Sequence, residues 1–430
     1  MMHRKVKKTI YSTLFYIVVA GIILVILTPI YFLTNISLMS DQEAYDWPIA
    51  LYPSFVNKFK LELVEGKYLL SVYSNSLGDY TTIVETSDFD NLQKLTDRKT
   101  NSKIPKDLFL KEVEKAKALT SKNATEINTL RSQYKKLTTK IRHANIEIAQ
   151  FKEKLSMLKG MQGMEDVKKS FQEKLNKAIK DREKLKEESK TLESKLFEIA
   201  SVSFSVPKNL LENYITFFKV TTDAIPALIR SIEVALLTVT ISLIIGGMAG
   251  YAFARYFFKG KNILKLSVLF VRMFPGISIA IPMVIILAGM GFYDKPIGLS
   301  LVYSIGQIGL TTWITASIFM GIPVELEEAA MIFGTTRTGA FLHITLPLAI
   351  PGLAASAMYA FIGSWSETAQ AIVLTQFHPT FPVVVYQTLV GAKGLINLTA
   401  AGGMAMAIPA IIFTLIIRRY ILQMWGGVTV

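Results

Sequence analysis

A mostly α, polytopic membrane protein is the fold class this sequence predicts, and three observations predict it. Six apolar runs, each long enough to cross a bilayer core, are spread through the chain, and no soluble domain of this size needs them. Lys and Arg gather beside alternate ends of those runs, as the positive-inside bias of membrane proteins demands. The polar stretch between the first run and the second carries two hydrophobic periods, one of a sheet and one of paired helices. The 430 residues are 51% apolar, with mean hydropathy +0.38 and a formal charge of +14. That balance invites a nucleic-acid reading, but the cations lie in the polar insert and in short loops beside spans, and no nucleic-acid module accompanies them. With no cysteine there is no disulfide, thiolate catalysis or Cys-ligated metal, and four scattered histidines make a metal site unexpected.

In order, His3-Arg-Lys-Val-Lys-Lys8 precedes an apolar run over 10–33. The exit Thr34-Asn-Ile-Ser-Leu lacks the small-residue pattern of a cleavage site, so 1–36 reads as a basic cytoplasmic end and an uncleaved first span. The segment 37–222 is then an extracytoplasmic insert. Its part 45–100 is β-rich: apolar residues alternate through Lys67-Tyr-Leu-Leu-Ser-Val-Tyr73, and Ser201-Val-Ser-Phe-Ser-Val206 is placed to return as a further strand. Its part 107–200 reads as an antiparallel coiled-coil hairpin. Leu130, Tyr134, Leu137, Ile141, Ala144, Ile148, Phe151, Leu155 and Leu158 repeat in three-four alternation from Ile127, with Asn123 and Glu126 as a capping box. Gly160-Met-Gln-Gly163 breaks the helix, and a second seam runs from Phe171 to Ile199, giving an arm about 50 Å long. Its dense Lys and Glu either keep the coil soluble or make it an arm for a partner.

The remaining 223–430 holds five further runs, at 228–258, 263–290, 299–322, 352–374 and 401–417. With the anchor that makes six spans and puts both termini inside. Arg255, Lys259, Lys261 and Lys265 at one inner loop, Arg337 at the next and Arg418-Arg419 after the last span agree with that count. The inner loop 323–350 is distinctive. Glu325-Leu-Glu-Glu-Ala-Ala-Met-Ile-Phe-Gly334 starts with acids suited to a helix N-terminus and ends on a glycine suited to a reversal. A plainer reading is an amphipathic helix resting on the bilayer through Met331, Ile332 and Phe333.

Glu328-Ala329-Ala330, Gly334, Ile344, Leu346 and Pro347 resemble in spacing the E-A-A…G…I-x-L-P loop of ABC-importer permeases. Glu212-Asn-Tyr214, Tyr251-Ala-Phe-Ala-Arg255, Phe274-Pro-Gly276, Ile281-Pro282, Gly321-Ile-Pro-Val-Glu-Leu-Glu-Glu328 and Ser364-Trp365 narrow the resemblance to the carbohydrate-uptake branch, of the maltose-type MalG-like kind. It covers 212–430 and the first span. The resemblance implies the type I importer permease fold with six transmembrane helices and a short coupling helix seated in a groove of a cytoplasmic ATP-binding subunit. Glu327 and Glu328 would offer carboxylates to that groove, Ala329 and Ala330 would keep the helix thin, and Gly334 would permit the turn. It also implies a second permease subunit in a heterodimer, an external solute-binding protein met by the loop bearing Phe377, Pro379 and Phe381, which by its own residues reads equally as a plain connector, and residence in the cell membrane. No cofactor is expected in this chain, since it holds no G-x-x-x-x-G-K-[ST] loop; ATP and Mg belong to the partner. Phe333 and Thr335 stand where most relatives carry Asp and Ala, so contacts made by that Asp do not transfer.

A charge inside a span costs at least about 2.5 kcal/mol, so Glu367 in Ser364-Trp-Ser-Glu-Thr-Ala-Gln370 asks for a reason. Either Trp365, Glu367, Gln370 and Gln307 line a translocation path, the indole stacking on a sugar ring, or Glu367 pairs within the bundle or reaches water. Two rival functions stay open from sequence. A coiled-coil scaffold would need only one or two spans, and a secondary transporter would need ion-coupling carboxylates and commonly shows repeated halves.

Overall fold

The computed structural model describes residues 2–47, 49–64, 66–158, 165–221, 223–391 and 395–426. The chain divides into two compact units, one of Met1–Leu38 with Leu211–Val430 and one of Met39–Leu210. The first opens on α1 (Met2–Leu38), whose stretch Ser12–Leu38 has a mean hydropathy of 2.6. Thr28 and Thr34 donate their hydroxyls to Leu24 and Ile30 carbonyls of the same helix, at 2.7 and 2.8 Å, which hides their polarity from lipid.

The second unit begins with α2 (Asp41–Tyr45), started by a capping box between Ser40 and Glu43. Among the described residues four strands follow the alternating pattern: β1 (Val56–Val64), β2 (Lys67–Ser74), β3 (Asp79–Thr86) and, far along the chain, β4 (Ser201–Pro207). They pair antiparallel in the order β3-β2-β1-β4, with Phe59 opposite Val72 on one side and Phe204 on the other. Phe59, Leu61, Leu70, Val72 and Phe204 form a core with Leu92 from α3 (Phe89–Thr100) and Phe109 and Val113 from α4 (Lys106–Lys122). The stretch from 107, expected in the hairpin, therefore begins as a cover on the sheet, because its apolar face finds the strands first.

The hairpin helices are α5 (Ala124–Leu158) and α6 (Glu165–Ala200). They run antiparallel: Asn123 Nδ2 donates to the Ile199 carbonyl at 3.2 Å, while Phe151 meets Phe171 near the other end at 6.2 Å between centroids. The expected capping box at Asn123 is not formed. Its side chain is turned to α6, and its backbone N–H closes α4 on Leu119. The glycine turn at 160–163 lies outside the described residues. The two ends of this unit are joined by an ion pair between Glu43 and Lys208, whose side chain is wholly buried. Burial pushes the Glu43 carboxyl up, and the Lys208 charge with hydrogen bonds from Lys208, Ser54 and Ser40 outweighs it, holding the group below its ordinary value.

The first unit resumes with α7 (Glu212–Val220), α8 (Ala224–Arg255), α9 (Lys261–Phe270), α10 (Gly276–Gly289) and α11 (Pro296–Met320). Then come α12 (Glu325–Ile332), α13 (Arg337–Ala340), a π turn (Phe341–Thr345), α14 (Leu346–Trp365), α15 (Ala369–Leu374), α16 (Phe381–Val390) and α17 (Ile396–Gly426). Among the described residues five helices are long and apolar enough to cross a membrane, and a sixth crossing requires counting α9 and α10 as one. These two, expected as a straight run over 263–290, meet at 91°. Pro275 is the cause: it forces Phe274 into extended backbone (φ −70°, ψ 132°) and ends the helix there. The run 352–374 is also revised, because its helix starts earlier, at Arg337, and stops at Trp365. α8 and α11 pack closely through glycines. A Cβ on Gly246 would lie 2.9 Å from Thr311, and one on Gly250 2.1 Å from Thr315 Oγ1 and 2.8 Å from the Ala316 amide nitrogen.

Candidate functional site

The short helix α12 lies between two spans and has Glu325, Glu327 and Glu328 in its first turn. Glu327, expected to project outward, is turned inward and is 5% exposed at the side chain. Its Oε1 accepts from Arg255 Nε and from Thr345 Oγ1, and its Oε2 from the Tyr251 hydroxyl, all at 2.7 Å. Arg255 closes the group from the other side, donating to the Phe319 and Ile322 carbonyls at 2.8 and 3.0 Å. The carboxylate thus joins α12 to the end of α8 and to the π turn before α14, and through Arg255 to the end of α11. The Tyr251 ring packs on Phe319 and Phe341, covering the pair with aromatic surface. Burial raises the Glu327 pKa, but donors from Thr345, Tyr251 and Arg255, with the Arg255 charge, more than reverse that and hold it below the ordinary carboxylate range. The sequence reading took Arg255 as a topology charge and as part of a resemblance motif, with no partner for it, and gave Thr345 no role. The available signal was helical register, since Glu327 shares a face with half-buried Ala330 and Met331.

Opposite that face, Glu328 and Ala329 are exposed, and Ile332 and Phe333 are 84% and 89% exposed. The helix stops because Gly334 takes φ +87°, letting its own N–H reach the Met331 carbonyl and the Thr335 N–H reach that of Ala330. This paired closure leaves the last carbonyls satisfied where an L-residue would be strained. Thr336 then caps α13, accepting from the Gly339 N–H at 3.1 Å. The result is a short helix anchored by a buried ion pair and presenting two exposed acids, Glu325 and Glu328, with small and apolar side chains.

Residues 242–424, which include this loop, match the family described as binding-protein-dependent transport system inner membrane component. The trehalose transport system permease protein SugB of Mycobacterium tuberculosis is 37% identical over 200 residues, covering 45% of this chain and 73% of that protein. The chain belongs to this transport family. The trehalose/maltose transport system permease protein MalG of Thermococcus litoralis is 32% identical over 220 residues, covering 50% of this chain and 79% of that one. The galactooligosaccharides transport system permease protein GanQ of Bacillus subtilis is 29% identical over 205 residues, covering 47% and 72%. Among solved structures, a bacterial ABC transporter involved in the import of alginate overlaps 45% of this chain and 74% of that chain, with a TM-score of 0.37 at 21% identity. This family member is a multi-pass membrane protein, a transport component.

Within the permease bundle the predicted path residues separate. Trp365 is core: it is 3% exposed, stacks on Phe361 and donates Nε1 to the Met406 carbonyl at 3.0 Å, joining α14 to α17. Glu367 is not inside a helix but in the break after α14. It caps α15 by accepting the Gln370 N–H at 3.0 Å, and its carbonyl accepts from the Tyr303 hydroxyl at 3.3 Å. Gln370 and Gln307 are half-buried and lie against glycines, where a Cβ on Gly276 would sit 2.0 Å from Gln370 Nε2 and one on Gly363 2.4 Å from Gln307 Nε2. Gln370 Oε1 is buried and has no partner among the described residues, which leaves it free to accept a hydrogen bond.

The predicted contact loop also divides. Phe377 is 73% exposed, whereas Pro379 and Phe381 are buried, the latter against Phe217 and Phe218. Arg230 donates to the Pro379 carbonyl, and the Phe381 N–H donates to Ser231 Oγ at 2.8 Å, so this part of the loop is tied to α8. Its remaining residues, 376–378, are held by Asp294, a residue the sequence reading passed over.

Proposed function

We propose that this chain is a membrane-spanning permease subunit of an ABC importer, carrying a sugar or oligosaccharide delivered by an extracytoplasmic solute-binding protein. ATP hydrolysis, with its Mg, belongs to cytoplasmic subunits that receive α12 through Glu328, Ala329 and the turn at Gly334, Ala330 lying on the inward face, and a second permease subunit completes the path. The observation that carries this reading is the buried Glu327–Arg255 clamp. A helix tied by one carboxylate to α8 and the π turn, and through Arg255 to the end of α11, transmits displacement to them, and its outer face is small and apolar enough to enter a groove. The sugar class rests on the relatives, named for trehalose, trehalose and maltose, and galactooligosaccharides. The segment 1–36 is then a cytoplasmic end and first span, 37–222 an extracytoplasmic insert carrying the sheet and a coiled-coil arm, and 223–430 the permease core with its coupling loop at 323–350, both termini cytoplasmic. Gln370 and Gln307 remain the path candidates.

The test uses the chain's lack of cysteine. A single Ala329→Cys should crosslink to a co-purifying ATP-binding subunit and resist membrane-impermeant maleimide added outside intact cells. Labelling from outside would overturn the topology and the coupling role together.

A further inference from the structure

The turn between α10 and α11 holds one carboxylate that gathers a distant loop. Asp294 Oδ1 accepts the N–H groups of Gln376 and His378 at 2.9 and 3.2 Å, and Oδ2 accepts the Phe377 N–H at 3.1 Å and lies 2.9 Å from His378 Nδ1. Asp294 itself sits at φ +57°, a left-handed conformation that Asp and Asn tolerate better than other side-chain residues. Its side chain is 11% exposed, while the residues it holds are exposed. On the far side of the loop, Arg230 and Ser231 fix residues 379 and 381. The three residues in Asp294's grip are exposed while the next three are buried. Such a tip is fixed before anything binds it, and its most projecting group is an aromatic ring.

We infer that Asp294 is a positioning residue that preorganises the tip 376–378, presenting Phe377 as the anchor for the solute-binding protein. The inference rests on the proposed importer reading, in which this loop faces the binding protein. Aromatic anchors carry a disproportionate share of interface energy, and fixing one in advance removes the cost of ordering it on binding. Three backbone N–H groups converging on one carboxylate do that fixing without using the Phe377 side chain, which stays free for the partner.

The experiment takes the full importer in nanodiscs with its own solute-binding protein, saturated with whichever of trehalose or maltose it binds. A spin label on Phe377→Cys, unique in this cysteine-free chain, reports tip mobility; titration of the loaded binding protein reports half-saturation and maximal rate of stimulated ATP hydrolysis. Asp294→Asn keeps the left-handed backbone but removes the charge and one acceptor. It should mobilise the label and raise half-saturation about tenfold while the maximal rate holds. Phe377→Ala should raise half-saturation by as much, and the double variant no further than the larger single effect, because both act through one ring. His378→Ala, which leaves the three backbone bonds in place, should shift it about twofold and serves if the Asn variant folds poorly. An unchanged spectrum and half-saturation in the Asp294 variant would sink the positioning role while leaving the loop as a docking surface. An unaffected Phe377→Ala titration would instead remove the loop from binding-protein contact, and the inference with it.

Discussion

Replacing Glu327 by Ala removes the one acceptor shared by Arg255, Tyr251 and Thr345. The Arg255 side chain is 8% exposed, so its charge would be left buried without a counter-ion, a change that costs about 3–5 kcal/mol in comparable pairs. Its bonds to the Phe319 and Ile322 carbonyls survive and limit the loss, while two hydroxyls lose their acceptor and add to it, about 1 kcal/mol each. The net expectation stays at about 3–5 kcal/mol, which shifts the seating of α12 on the bundle by roughly two to four orders of magnitude. Glu327→Gln retains one carbonyl oxygen and should cost about 1.5–3 kcal/mol. Glu328→Ala, on the exposed face, should stay within about 0.5 kcal/mol in the same measurement. The assay is reversible unfolding in mixed SDS micelles, paired with the ratio of ATP hydrolysed to sugar taken up in liposomes. A joint change, Glu327→Leu with Arg255→Met, should regain most of the stability, since a buried pair exchanged whole for apolar groups is close to neutral. If Glu327→Ala proves no more damaging than Glu328→Ala, the clamp does not hold the helix and the argument fails.

Gly334→Val should cost about 1–2 kcal/mol or more through backbone strain alone, because φ is +87° and no atom lies within 4 Å of a Cβ there; ATP hydrolysis uncoupled from uptake is the readout, with Gly334→Asn milder. Gly250→Ala should cost about 1–3 kcal/mol, since its Cβ would press on Thr315 and on the backbone nitrogen of Ala316, and micellar unfolding measures it. Trp365→Phe should lower stability by about 1 kcal/mol through the lost bond to Met406 and leave half-saturation for sugar unchanged; the opposite pattern would return Trp365 to the path. Glu43 has its folded pKa depressed, so its contribution is present above the unfolded carboxylate value and fades as pH falls through the folded one; Glu43→Gln should flatten that acid limb of hydrogen-exchange protection in 39–210.

Periodicity carried much of the architecture. The alternation at 67–73 falls in β2, and the three-four repeats from Ile127 fall in α5 and α6, because a regular element buries one face and selection for that face writes its period into the chain. The breaks were less legible. The 91° bend was announced by Phe274-Pro275, but hydropathy averages across a proline and reads one run where backbone sterics make two. α4 was assigned to the arm because its own pattern is helical; that it covers the sheet depends on Phe109 and Val113 meeting Phe59 and Phe204, a pairing that local pattern does not contain.

The acids were the least legible residues, and for one physical reason. A carboxylate in an apolar environment is explained equally by a ligand, by water or by a partner, and only geometry separates the three. Here Glu327 ties α12 to α8 and the π turn, Asp294 collects a loop from a distant part of the chain, and Glu367 starts α15. In the proposed reading two surfaces meet partners: the outer face of α12, just after the end of α11, and the tip 376–378, gathered just before its beginning. α11 has 25 residues, so these surfaces are about 37 Å apart along one helix. That helix packs closely on α8 where Gly246 and Gly250 leave room for Thr311 and Thr315, and the Thr315 hydroxyl donates to the Gly246 carbonyl at 3.2 Å. Under the importer reading proposed above, a displacement applied at α12 is expected to reach the tip 376–378 through α8 and α11, and loosening their contact should weaken communication between the two surfaces before it weakens either one alone.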